Sequence, residues 1–201
     1  MISIIDYDAG NIKSVEKALQ HLGAETVITR DPEIILSSDH VILPGVGAFG
    51  DAMKRLNEYR LVDVIREVTE RGIPFLGICL GLQLIFEESE ESPGVKGLGL
   101  LRGRVLRIPD REDLKIPHMG WNSLKVREGA SLFEGLEPDP YVYFVHSYYL
   151  QAEDRKDVAA VTEYGVEIDA SVEHGRIFAC QFHPEKSSGT GLAILDHFIY
   201  L

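Results

Sequence analysis

Three features of the chain predict an α/β fold: a single domain with a mixed, mostly parallel central sheet, flanking helices and an antiparallel extension. Short apolar runs alternate with amphipathic ones through the first half. The run Pro74–Ile78 holds no polar residue, as a strand covered on both faces requires. The second half turns into short strand-like runs divided by glycine turns. Alternating strands and helices give a parallel sheet, and a meander after them adds antiparallel strands at its edge.

Ile2–Ile5 opens the chain as a strand. Asn11 is suited to cap a helix in which Ile12, Val15, Leu19 and Leu22 share one face. Thr26–Thr29 and Val41–Leu43 read as strands, and Leu61, Val62, Val64, Ile65 and Val68 form a helical stripe. After Pro74–Ile78 come strands at Val105–Ile108, Asn122–Val126, Tyr141–Leu150, Val158–Glu163, Ile168–Val172 and Ile177–Phe182. Turns at Glu128-Gly129, Tyr164-Gly165 and His174-Gly175 separate several of these. A last helix is expected from about Gly189 to Tyr200. No linker, repeat or low-complexity tract interrupts the pattern, so residues 1–201 are expected to form one domain.

Composition narrows the function. A net charge of −12 would repel the phosphates that supply most nucleic-acid affinity. No apolar run approaches the ~20 residues needed to span a bilayer, and no basic leader precedes Ile2. Cys79 and Cys180 show no disulfide spacing. A soluble, cytoplasmic protein with reduced thiols is the expectation. No metal-ligand pattern is present.

Cys79 stands where an apolar strand ends and a helix begins, with Gly77 and Gly81 two residues to either side. A tight elbow with small neighbours presents a nucleophile and leaves room for substrate. The competing reading is a buried, inert thiol; Cys180, inside a strand, takes that reading outright. Of the seven histidines, His21, His40, His174 and His197 read as surface residues on helix ends or turns. His183 follows a strand and precedes Pro184, which favours extended backbone. In extended chain Glu185 lies on the same side and can hold the imidazole in one tautomer.

Pro44-Gly45-Val46-Gly47-Ala48-Phe49-Gly50 matches G-x-G-x-x-G between a strand and a helix. A dinucleotide site would want an acidic residue at the end of the next strand, and that position carries Cys79. The alternative is a backbone loop that aims N–H groups at an oxyanion, with the Leu80 amide as second donor. The acidic run Glu87, Glu88, Glu90, Glu91 reads on its own as a solvated helix end.

G-I-C-L-G at 77–81 with F-H-P-E at 182–185 resembles the class I (triad) glutamine amidotransferases, a flavodoxin-like fold. Y-D-A-G-N at 7–11, P-G-V-G-A-F-G-D at 44–51, P-H-M-G-W-N at 117–122, F-V-H-S-Y at 144–148 and H-P-E-K-S at 183–187 narrow the resemblance to glutaminase subunits of imidazole glycerol phosphate synthase. A related glutaminase from pyridoxal phosphate synthesis would lack P-H-M-G-W-N. A pseudo-enzyme scaffold would not need Cys79, His183 and Glu185 intact.

The resemblance implies a catalytic triad of Cys79, His183 and Glu185 and an oxyanion hole from Val46 or Gly47 and Leu80. It places L-glutamine on Gly47, Gln83, Glu91, Ser147 and Tyr148, with Glu91 pairing the substrate ammonium. It also implies a heterodimer with a (β/α)₈-barrel cyclase, docked on Asn11, Met119, Trp121, Asn122, Tyr143 and Lys186. No cofactor is implied. Val46 sits between two glycines, so its peptide can rotate at low steric cost. An oxyanion hole completed only when the loaded partner binds is therefore expected.

Overall fold

The computed structural model describes residues 1–8 and 10–201; Ala9, within Y-D-A-G-N, lies outside the described residues. The elements run β1 Ile2–Ile5, α1 Ile12–His21, β2 Thr26–Thr29, α2 Pro32–Leu36, β3 His40–Gly45, α3 Phe49–Glu58, α4 Leu61–Glu70, β4 Phe75–Cys79 and α5 Leu80–Ile85. There follow β5 Glu88–Ser89, β6 Gly103–Arg107, β7 His118–Ser123, β8 Lys125–Val126, β9 Tyr141–His146 and β10 Tyr148–Ala152. The chain ends with β11 Val158–Glu163, β12 Glu167–His174, β13 Ile177–Cys180 and α6 Ser188–Ile199.

Eight strands form the central sheet in the order β2-β1-β3-β4-β13-β12-β11-β8. The first five are parallel and the last three antiparallel. The parallel part has the 2-1-3-4-5 order of flavodoxin-like sheets, in which ligands bind outside the carboxyl ends of the strands. Alternation along each strand fills both faces. Val41 and Leu43 join one apolar cluster with Phe49, Leu56, Leu61 and Ile65 of α3 and α4. Ile42, Leu76 and Ile78 join the other with Ile12, Val15 and Leu19 of α1 and Ile194, Leu195 and Phe198 of α6.

The second half departs from the expected single sheet. Tyr141–Leu150 does not run through as one strand. It breaks at Ser147, whose carbonyl accepts from Ile108 N at 2.9 Å. β9 then pairs with β7 in a two-stranded sheet, and β10 joins β6 and β5 in a three-stranded one. Asn122–Val126 likewise divides around the buried Leu124 into β7 and β8. Ile177–Phe182 stops at Cys180, because the chain then leaves β12: Gln181 N still donates to Ala170 O, but His183 N donates to Tyr143 O of β9. His40, expected on a surface turn, begins β3 and packs edge-on against Phe198.

Two contacts set the elbow. Gly81, in the first turn of α5, comes so close to β3 that a Cβ there would lie 1.9 Å from the Leu43 carbonyl oxygen. A Cβ on Gly77 would meet the Gly81 backbone at 2.8 Å. The glycines around Cys79 therefore let helix and strands touch; they do not open space for substrate.

Candidate functional site

The carboxyl ends of β3, β4 and β13 deliver the candidate residues to one rim. Cys79 has φ 55° and ψ −106°, a conformation that costs a non-glycine residue about 1–3 kcal/mol and that the packing of α5 against β3 and β4 holds in place. Around it lies a pocket of about 410 Å³ lined by Val46, Gly47, Cys79, Leu80, Gln83, Glu91, Pro117, Val145, His146, Ser147, Tyr148 and His183. A larger cleft of about 660 Å³ between Lys125 and Pro140 holds none of the candidate residues.

His183 and Glu185 are brought together as expected, by a different backbone route. His183 itself is extended, but Pro184–Lys186 forms a 3-10 turn. The Glu185 carboxylate accepts from His183 Nδ1 at 2.8 Å, with both side chains buried. Nδ1 therefore carries a proton, and Nε2, buried and without a hydrogen-bond partner among the described residues, is left for the pocket. Burial alone would lower the proton affinity of His183. The Cys79 sulfur and the Glu185 carboxylate outweigh it and raise the pKa from 6.5 to about 9. The imidazolium therefore persists through neutral pH.

Asn11 is not the side-chain cap the sequence suggests. It sits in the left-handed region at φ 70° and makes no capping bond, because its amide donates to Glu185 Oε1 at 2.7 Å. It thus shares Oε1 with His183 Nδ1, while Glu185 Oε2 is buried without a partner among the described residues. Glu91 lines the pocket while Glu91 Oε2 accepts from Phe49 N at 2.7 Å, at the start of α3, so the acidic run contributes a structural anchor as well as a pocket wall. Gly47 lies at φ 101° with open space where a Cβ would be, and Val46 beside it is 40% exposed.

Alternation along β7 and β9 sorts the remaining candidates. Met119, Trp121 and Tyr143 share an outward face, with Met119 opposite Val145 and Trp121 opposite Tyr143. Met119 is 62% and Trp121 51% exposed, and the Trp121 and Tyr143 rings meet edge-to-face at 6.1 Å. Asn122 lies on the other side of β7 and turns its amide to Glu163 O and His118. Lys186 is exposed on the turn after His183. Tyr143 joins both regions: its carbonyl accepts from His183 N and its N donates to Ser187 Oγ, each at 2.9 Å.

Sequence reasoning missed His146 in the pocket wall and His118 and Gln181, which bond to that wall. His146 Nδ1 donates to Tyr148 O and its Nε2 accepts from His118 Nδ1, both at 2.9 Å. Burial lowers the pKa of His118 to about 4; burial and then His118 lower that of His146 to about 3. Gln181, fully buried, reaches Cys79. Two-residue alternation taken back from His183 along the strand points to Gln181; the histidine pair depends on β7 meeting β9 and has no such local signal.

Cys79, the His183–Glu185 pair and the glycine loop at Val46-Gly47 converge on the carboxyl rim of a flavodoxin-like sheet. A family model described as glutamine amidotransferase class-I matches residues 3–200. Among solved structures, one described as a glutamine amidotransferase aligns with TM-score 0.77 at 22% identity, over 99% of this chain and 97% of that one. The glutaminase domain of Trypanosoma brucei CTPS with bound acivicin aligns at 0.70 and 17%, over 99% and 93%. At these identities the likeness is one of fold.

Curated relatives called imidazole glycerol phosphate synthase subunit HisH are far more similar. The Thermosynechococcus vestitus protein is 52% identical over 202 residues, covering 100% of this chain and 96% of its own. That of Methanothermobacter thermautotrophicus is 52% identical over 200 residues, covering 99% and 98%. The chain belongs to the class I glutamine amidotransferases and, within them, to the HisH subunits of imidazole glycerol phosphate synthase.

Proposed function

We infer that the chain hydrolyses L-glutamine to glutamate and ammonia and supplies the ammonia for imidazole glycerol phosphate synthesis in histidine biosynthesis. The observation that carries the mechanism is the convergence of Cys79 and the His183–Glu185 pair on one pocket. The Cys79 thiolate attacks the side-chain carboxamide carbon. The protonated Nε2 of His183 gives its proton to the departing ammonia. The neutral imidazole then takes a proton from water, which attacks the thioester carbon and releases glutamate and the thiolate. Glu185, steadied by Asn11, keeps His183 in one tautomer. The amides of Leu80 and of Val46 or Gly47 serve the oxyanion. Gly47, Gln83, Glu91, Ser147 and Tyr148 hold the substrate, with Glu91 facing its ammonium group.

The partner is a (β/α)₈-barrel cyclase docked on the Met119–Trp121–Tyr143 face, with Asn11, Asn122 and Lys186 at its rim. An exposed apolar patch with a tryptophan at its centre is the composition of an interface anchor. Handing ammonia straight to the barrel keeps it from protonation in water. Among the described residues no helix is long and apolar enough to cross a membrane, and a cytoplasmic heterodimer is the proposed setting.

Glutamate release tests this reading directly. It should be slow for the chain alone, faster with the barrel, and fastest with the barrel carrying its phosphoribosyl precursor. The cause would be rotation of the Val46–Gly47 peptide, for which Gly47, at φ 101° and without a side chain, has the backbone freedom. Equal rates in all three mixtures would remove the partner-dependent step.

The histidine makes a second prediction. Because the folded-state pKa is raised to about 9, the alkaline limb of kcat/KM should fall near pH 9. Stability gained from protonated His183 is complete below about pH 6.5 and lost as pH rises through about 9. Glu185→Gln removes one of the two groups that raise it, so its alkaline limb should move to lower pH in a pH–rate profile. An unmoved limb would show that another group titrates there.

A further inference from the structure

A chain of forced hydrogen bonds ends on the nucleophile. The Tyr148 carbonyl can only accept, so the Gln83 atom 3.0 Å from it is Nε2. The same Nε2 lies 3.0 Å from the Gln181 side chain, which must present Oε1 to it. That orientation leaves Gln181 Nε2 turned to Cys79 Sγ at 3.7 Å, a length suited to N–H donation to sulfur. His146 donates to the same Tyr148 carbonyl and so fixes the start of the chain. Gln181 is fully buried, and water has no access to compete for either end of its amide.

We propose that Gln181 is a further catalytic residue of the glutaminase reaction, its side-chain amide donating a hydrogen bond to the Cys79 sulfur whenever that sulfur is anionic. The proposal rests on Cys79 being the nucleophile. Gln181 transfers no proton. In acylation the sulfur–carbon bond forms and the carbon–nitrogen bond breaks, with His183 protonating the leaving nitrogen, which departs as ammonia. In deacylation the oxygen–carbon bond from water forms, the sulfur–carbon bond breaks, and the thiolate returns to the Gln181 N–H. A thioester sulfur is a poor acceptor, so the bond strengthens with negative charge on sulfur: it favours the attacking thiolate over the thiol, and the departing thiolate over the thioester. Gln83 sets the direction of that donor in addition to its place in the substrate pocket.

Two substitutions separate donation from simple packing. Gln181→Leu removes donor and acceptor together. Gln181→Glu keeps an oxygen for Gln83 and puts a carboxylate oxygen, in place of the N–H, against the sulfur. In the complex with the barrel, both should lower kcat for glutamine by roughly 10- to 100-fold, with Gln181→Glu falling at least as far and KM staying within about twofold. The rate of iodoacetamide alkylation at Cys79, located by mass spectrometry, should fall with kcat. Wild-type alkylation in Gln181→Glu, or a raised KM with kcat intact, would overturn the proposal and leave Gln181 as a wall of the pocket.

If either Gln181 variant fails to bind the barrel, Gln83→Met supplies the readout. It releases Gln181 to turn its oxygen toward the sulfur and should slow alkylation several-fold; an unchanged rate would sink the idea equally. Failure of the underlying reading looks different. There, wild-type Cys79 would resist alkylation, or glutamine hydrolysis would survive its replacement.

Discussion

Replacing Cys79 with alanine is expected to abolish glutamine-dependent turnover, by about 10⁴-fold or more, while the barrel in the same complex continues to work from added ammonia. The large effect follows from the role: no other group in the pocket can form the thioester. Cys180 is near in sequence to His183, but its thiol is fully buried and points its S–H at the Phe182 carbonyl. Burial also raises its pKa well above the usual thiol value. Measuring both nitrogen sources in one preparation separates chemistry from folding. Loss of both activities would mean that the substitution damaged the complex, and survival of glutamine hydrolysis would reassign the nucleophile.

The second large effect is structural. Gly81→Ala places a methyl group against the Leu43 carbonyl at 1.9 Å, a contact with backbone on both sides and no rotamer that avoids it. β3 or α5 must shift, at a cost of at least about 3 kcal/mol, lowering the melting temperature by roughly 6–12 °C. Glutaminase activity should fall with it, because the same shift moves the Leu80 amide and the Cys79 elbow. Gly189→Ala is the control. That glycine also lies in a helix, α6, but nothing stands within 4 Å of its Cβ position, so the change should be neutral or stabilising by up to about 1 kcal/mol. Equal melting temperatures for the two variants would show that α5 is not clamped to β3.

The contrast between these glycines bears on what could be read from the chain. Cys79, His183 and Glu185 were legible because each belongs to a short local pattern: a strand–helix elbow, and a histidine two residues before a carboxylate. The parallel half of the sheet was legible for a similar reason, since continuous apolar runs mark strands covered on both sides. What escaped was non-local. The turn at Ser147 depends on a bond to Ile108, and no propensity in Tyr141–Leu150 announces it. Asn11 looked like a helix cap because only the fold brings Glu185 to it. The role of Gly81 could be guessed as room for substrate until β3 was seen to fill that side.

The paired imidazoles of His118 and His146 have a consequence for how the pocket handles charge. With Tyr148 O as a compulsory acceptor at one end and Asn122 Nδ2 donating at the other, each ring has its single hydrogen assigned. Neither ring can store or pass on a proton without breaking a bond to its neighbour. Of the three histidines in the pocket and bonded to its wall, His183 alone keeps a ring nitrogen without a hydrogen-bond partner among the described residues, which suits it to carry the proton in the proposed mechanism. The other two frame it with fixed hydrogens, and in that mechanism the proton given to the leaving nitrogen and the proton taken from water travel through the same His183 nitrogen.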